Sequence, residues 1–160
     1  MGHISILCRS YQFIFTMSKI TNSPIVYKSK RDVVLEYINS SHTVLDVGFW
    51  GQGIPHTSPD WPHRLIKERA KSTYGIDIAF DSEAMDLRFY KKVPAENFDF
   101  DVKFDRILAF DLIEHLPNPG LFLEACARNL APGGKLIIIT PNCFSLFNMA
   151  MKITREDPVA

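Results

Sequence analysis

The chain has 160 residues, 46% of them hydrophobic, which suffices for one compact domain with its own core and leaves no room for several. Eighteen basic residues balance eighteen acidic ones, so no net field draws the protein to nucleic acid or to an anionic membrane surface. Cys8, Cys126 and Cys143 are odd in number and far apart, which suits a reducing, cytoplasmic setting, and neither they nor the five histidines have metal-ligand spacing, so no metal is expected.

Residues 1–20 are expected to form an extension or mobile arm ahead of a single domain over residues 21–160. The run 4–17 is apolar and aromatic, but Arg9, Ser10 and Gln12 interrupt it. It is too short to span a bilayer and lacks the three-part pattern of a signal peptide, and Met17 looks like the more natural start. Over residues 31–39, Val34, Tyr37 and Ile38 fall at helical spacing, and the basic side chains nearby read as a solvated face.

Residues 44–47 then form a short β run that breaks into Gly48, Gly51 and Gly53. Strand formers followed at once by glycines read as a buried parallel strand entering a tight loop, where backbone approaches a ligand closely. Residues 54–62 hold three prolines and are therefore loop. Either that loop closes over a ligand as a lid, or the glycine loop has lost part of its binding geometry. Trp50 and Trp61 either present ring faces to a cation or pack the loop onto the domain, and packing is the preferred reading.

Residues 63–71 read as a helix burying Leu65, Ile66 and Ala70, and residues 73–78 as a second parallel strand ending in Asp77. A carboxylate at that tip suits both hydroxyls of a ribose. Residues 81–87 are expected to form a short helix and 88–93 a short strand. Residues 104–110 read as the fourth strand, followed by a short apolar connection carrying Asp111, Glu114 and His115. Asn118 and Pro119 cap a helix whose buried stripe is expected at Leu123, Ala127 and Leu130. Residues 132–134 stop it, 135–140 form a fifth buried strand, and 144–151 suggest an apolar helix.

The acid in the first motif selects among cofactors. Asp46 lies beside the glycine loop, where a dinucleotide would place its doubly negative pyrophosphate against a carboxylate. A ligand with a cation there is expected, and S-adenosylmethionine fits: its ammonium suits Asp46 and its carboxylate the amides near Gly48, Gly51 and Gly53.

With Asp46, Gly48, Asp77, the Glu114–His115 pair and the paired glycines 133 and 134 in this order, the sequence resembles the class I S-adenosylmethionine-dependent methyltransferases, of the small-molecule, ubiquinone-biosynthesis O-methyltransferase type. Gly51 and Gly53 are each displaced by one position from the family's first motif. The resemblance implies an α/β, Rossmann-like doubly wound sheet of about five parallel strands in the order 3-2-1-4-5 with flanking helices, the family's last two strands being absent. It implies adenine contacts at Ala95 and Glu96, although Pro94 stands where the family's acid is expected. Phe110 and Asp111 would border the transfer site. His115 is either the general base for a hydroxyl acceptor or a structural hydrogen-bonding group.

The implied activity is methyl transfer to a small-molecule acceptor, with oxygen the first choice and neither nucleic acid nor membrane as partner. Three other readings stay open: a non-catalytic or truncated methyltransferase-like subunit, an enzyme completed by parts outside this chain, and, less favoured, an NAD-dependent oxidoreductase. An exposed fifth strand would call for cover from a second copy, a partner chain or the last helix.

Overall fold

In the computed structural model, residues 3–9, 29–50, 54–83 and 85–141 are described. Among these, strands β1 (His3–Arg9), β2 (Thr43–Val47), β3 (Ser72–Ile76), β4 (Tyr90–Lys91), β5 (Phe104–Phe110) and β6 (Leu130–Pro141) form one sheet. Its order is β1-β6-β5-β2-β3-β4, and every pairing is parallel. Helices α1 (Lys30–Tyr37), α2 (Pro62–Arg69) and α3 (Pro119–Asn129) and one 3-10 turn (Ile113–His115) connect the strands. The five strands expected from sequence are β2 to β6, and their observed order is the expected 3-2-1-4-5.

A parallel sheet covered on both faces needs apolar residues at consecutive positions, with odd and even ones facing opposite ways. Along β5, Ile107 and Ala109 join the core beneath α3, whereas Leu108 and Phe110 join the core beneath α1 and α2. β6 divides in the same way, with Leu136 and Ile138 on the α3 side and Ile137 and Ile139 on the other. On β2, Leu45 and Val47 face α3 and Val44 faces the two earlier helices. Asp46 shares the parity of Val44, so it too points toward the α1 and α2 layer.

Helix starts follow their capping chemistry. Ser29 accepts a hydrogen bond from Asp32 N at 3.2 Å, and Asn118 accepts one from Leu121 N at 3.1 Å with Pro119 in the first turn. The α3 stripe differs from expectation: Phe122, Ala125, Cys126 and Asn129 are buried, Ala127 is exposed and Leu123 only half-buried. The bulkier Phe122 takes the core, and Asn129 is drawn in with it, bonding the Phe98 and Ala125 carbonyls and the Phe100 amide. Among the described residues of the 81–87 stretch there is no helix. Asp81 and Asp86 accept instead from the amides two residues on, the local turn that competes with helix.

Residues His3–Arg9 lie within the segment expected to be an extension or mobile arm, and they run as strand β1 along β6, with His3 opposite Lys135 and Arg9 opposite Pro141. The cover that the sequence reading sought from a partner or the last helix therefore comes from this chain's own β1. The expected apolar helix over 144–151 lies outside the described residues. No helix among the described residues is long and apolar enough to cross a membrane.

Candidate functional site

The strand order reverses at β2, whose neighbours are β3 on one side and β5 on the other. Loops leaving two such strands diverge and open a crevice at their carboxyl ends. Gly48 turns the chain out of β2 with φ +74, and its amide donates to the Ile76 carbonyl at 2.8 Å. A Cβ on Gly48 would meet Leu112 at 3.0 Å, so two loops from either side of the reversal touch at a residue without a side chain.

Beside this contact is a cleft of about 290 Å³. Gly48, Asp77, Ala95, Glu96, Leu112 and His115 are among the residues that line it. Five of these six are candidates read from the sequence, brought together from four separate loops. Asp77 is 8% exposed at the end of β3. Its Oδ2 accepts from Trp50 N and its Oδ1 from Ala79 N, both at 2.9 Å. Those bonds fix the carboxylate on the wall.

Asp46 is completely buried, and its Oδ2 lies 2.8 Å from His63 Nδ1. The Nε2 of the same ring lies 2.9 Å from the Tyr90 hydroxyl. Burial pushes the Asp46 carboxyl up, and the His63 hydrogen bond opposes that shift. Tyr90 is pushed up to about 12 by its burial and then by the Asp46 charge, so the phenol keeps its proton at ordinary pH. Asp46 Oδ1 is buried with no hydrogen-bond partner among the described residues. An orphaned buried carboxylate oxygen suits a cationic group; Asp46 is not among the residues that line the cleft holding Asp77.

Other candidates stand elsewhere. Phe110 is 1% exposed in the core beneath α1, and Asp111 pairs with Lys30 at 2.9 Å; neither is among the residues lining the cleft. Asp111 has φ +47, and its amide donates to Ile139 O at 2.7 Å. His115 is exposed on the 3-10 turn. Gly51 and Gly53 lie outside the described residues. Trp61 is 7% exposed, and its indole donates to Phe49 O at 2.9 Å, while Trp50 stacks on His56 at 4.4 Å. The loop is thus packed onto the domain. A second cleft of about 370 Å³ lies between that loop and α1, bordered by Lys30, Asp60, Trp61 and Ile139.

His63 and Tyr90 did not stand out in the sequence. The available signal was helical: His63 lies three positions before Ile66, on the buried face of α2.

Residues 24–156 match the sequence family described as a methyltransferase domain. The ubiquinone biosynthesis O-methyltransferase of Xylella fastidiosa strain 9a5c is 32% identical, over 69% of this chain and 48% of that protein. The chain thus spans about half the length of this curated relative. In the crystal structure of the N-methyltransferase NodS from Bradyrhizobium japonicum WM9 with S-adenosyl-L-homocysteine, a chain 15% identical aligns over 68% of this one and 57% of its own length, with a TM-score of 0.51. The cyclase SpnF aligns over 81% of this chain and 51% of its own, at 20% identity and a TM-score of 0.51. These two likenesses concern the fold.

Proposed function

The chain belongs to the methyltransferase-domain family, and from that premise we propose that it binds S-adenosylmethionine in the cleft beside Gly48 and transfers its methyl group to a small-molecule oxygen acceptor. The observation that carries this reading is the convergence of Gly48, Asp77, Ala95 and Glu96 on one cleft at the strand-order reversal, with the orphaned Asp46 oxygen close behind in the chain. The name of the Xylella relative supports oxygen as the acceptor atom and a small molecule as its bearer.

S-adenosylmethionine, when bound, supplies a methyl group on a positively charged sulfur, so the protein's task is chiefly positioning. Asp77 would accept the two ribose hydroxyls, and its bonds to Trp50 N and Ala79 N keep the carboxylate from turning away. Asp46 Oδ1 would take the ammonium, and the turn at Gly48 would leave backbone open to the ligand's carboxylate end. Ala95 and Glu96 would meet the adenine edge. His115, on the same cleft, would take the proton of the acceptor hydroxyl as the new bond to oxygen forms. The cytoplasm is the proposed setting, supported by the scattered cysteines.

Isotopically labelled S-adenosylmethionine offered with a panel of hydroxylated aromatics and matched amines tests this. We expect label on oxygen, and a fall of roughly 10²–10⁴-fold in rate for His115→Ala with cofactor affinity unchanged. Label on nitrogen alone, or a His115→Ala rate equal to that of the unaltered protein, contradicts the assignment.

A further inference from the structure

Asp46, Gly75 and Tyr90 lie in register across three adjacent strands: Asp46 pairs with Gly75, and Gly75 with Tyr90. Neighbouring strands are about 4.8 Å apart, so the outer two of the three are separated by roughly 10 Å at the backbone. His63, on α2, bridges the outer two, at 2.8 Å to Asp46 and 2.9 Å to Tyr90. A Cβ on Gly75 would come within 2.8 Å of Phe49 and of Tyr90, so the rings packed around the bridge need a glycine there. The His63 ring is held on its other sides by Phe49 at 4.7 Å and Trp61 at 4.9 Å between ring centres.

Proton bookkeeping orients the chain of bonds. Tyr90 keeps its hydroxyl proton and has one ring nitrogen within reach. If the phenol donates to His63 Nε2, the ring's single proton lies on Nδ1 and is donated to Asp46 Oδ2. One carboxylate oxygen is thereby occupied by a neutral donor, and the other, Oδ1, is turned away from the relay with no partner among the described residues. A buried acceptor in that state is costly until a donor arrives, and a cation repays the cost best.

We propose that His63 and Tyr90 are positioning residues that fix the Asp46 carboxylate by its Oδ2 so that Oδ1 is reserved for a cationic group of the ligand. The inference rests on the reading that the site takes S-adenosylmethionine, whose amino-acid ammonium is then the group concerned. It makes recognition of the amino-acid end separable from recognition of the nucleoside end, which Asp77, Ala95 and Glu96 would serve.

Two ligands separate the relay's positioning role from mere support of the fold. S-adenosylhomocysteine carries the ammonium, whereas 5′-methylthioadenosine keeps the nucleoside and thioether without it. Calorimetric titration of the whole chain should show both binding to the unaltered protein. His63→Phe, which fills the space without hydrogen bonds, should weaken S-adenosylhomocysteine by roughly 10- to 100-fold and leave methylthioadenosine within about twofold. His63→Asn, which restores a donor toward Asp46, should recover most of that loss. Tyr90→Phe deletes one hydroxyl, keeps the ring packing, and should show the same selectivity at a smaller size.

Equal weakening of both ligands in the folded variants would reduce the relay to a structural support and overturn the proposal. Unchanged S-adenosylhomocysteine binding in His63→Phe would overturn it as well. An unaltered protein that binds neither ligand would remove the cofactor reading itself, and this inference with it.

Discussion

At the scale of single residues, the site places a few polar groups where their alternatives are poor. Asp77 is nearly buried, yet both of its oxygens are satisfied by backbone amides, so it is held on the cleft wall at little cost. Tyr90 makes a prediction about pH. Its phenol is held up to about 12 against an ordinary value of 10.0, because the folded environment disfavours the phenolate. The stability it contributes is therefore complete below about pH 10 and is lost as the pH rises toward 12. Denaturant titrations of the unaltered protein and Tyr90→Phe across that interval should show the gap between them narrowing, and a constant gap would contradict this. Asp46 and Asp77 were legible in the sequence because each stands at or next to the carboxyl end of a strand that runs into a loop. His63 was not, because a histidine on an apolar helical stripe looks the same whether it meets a carboxylate or only packs.

At the scale of elements, alternation along strands does much of the selecting. Asp46 could have faced either helical layer, and the parity of Val44 sends it toward α2, where His63 waits. The row Asp46, Gly75, Tyr90 then needs a small residue in its middle. Gly75→Ala should cost about 1–3 kcal/mol, because the new methyl meets two rings that are packed on all sides. A lowered denaturation midpoint at unchanged slope would show it, and an unchanged midpoint would mean that the aromatic cluster yields freely. Strands β2 to β6, with α1 before β2 and α2 between β2 and β3, were readable from periodicity. The α3 stripe was misplaced by one position, since Phe122 and Leu123 compete for the same face and only packing decides between them. The strand β1 was unreadable as a strand because its pairing with β6 joins residues more than a hundred positions apart.

At the scale of the whole molecule, the proposed cofactor cleft lies where the strand order reverses. Connections from β2 run outward through β3 and β4, and then back across the sheet to β5 and β6. The crevice this leaves collects Gly48 from one loop, Asp77 from the next and Ala95 with Glu96 from a third, although they are scattered over some fifty positions of sequence. That convergence was expected from the order of motifs, whereas the contact of Leu112 with Gly48 was set by packing. β1 completes the sheet by pairing the otherwise open side of β6, a row of backbone groups that would invite association with another chain.

The most direct test of the account is a calorimetric titration of the chain with S-adenosylhomocysteine, beside NAD, for the unaltered protein and Asp77→Ala. The account predicts saturable micromolar binding of S-adenosylhomocysteine, no response to NAD, and a loss of roughly tenfold or more in Asp77→Ala, because two hydroxyls would lose a charged acceptor. A folded protein that ignores S-adenosylhomocysteine, or that binds it equally well without the Asp77 carboxylate, would contradict the assignment of this cleft as the cofactor site.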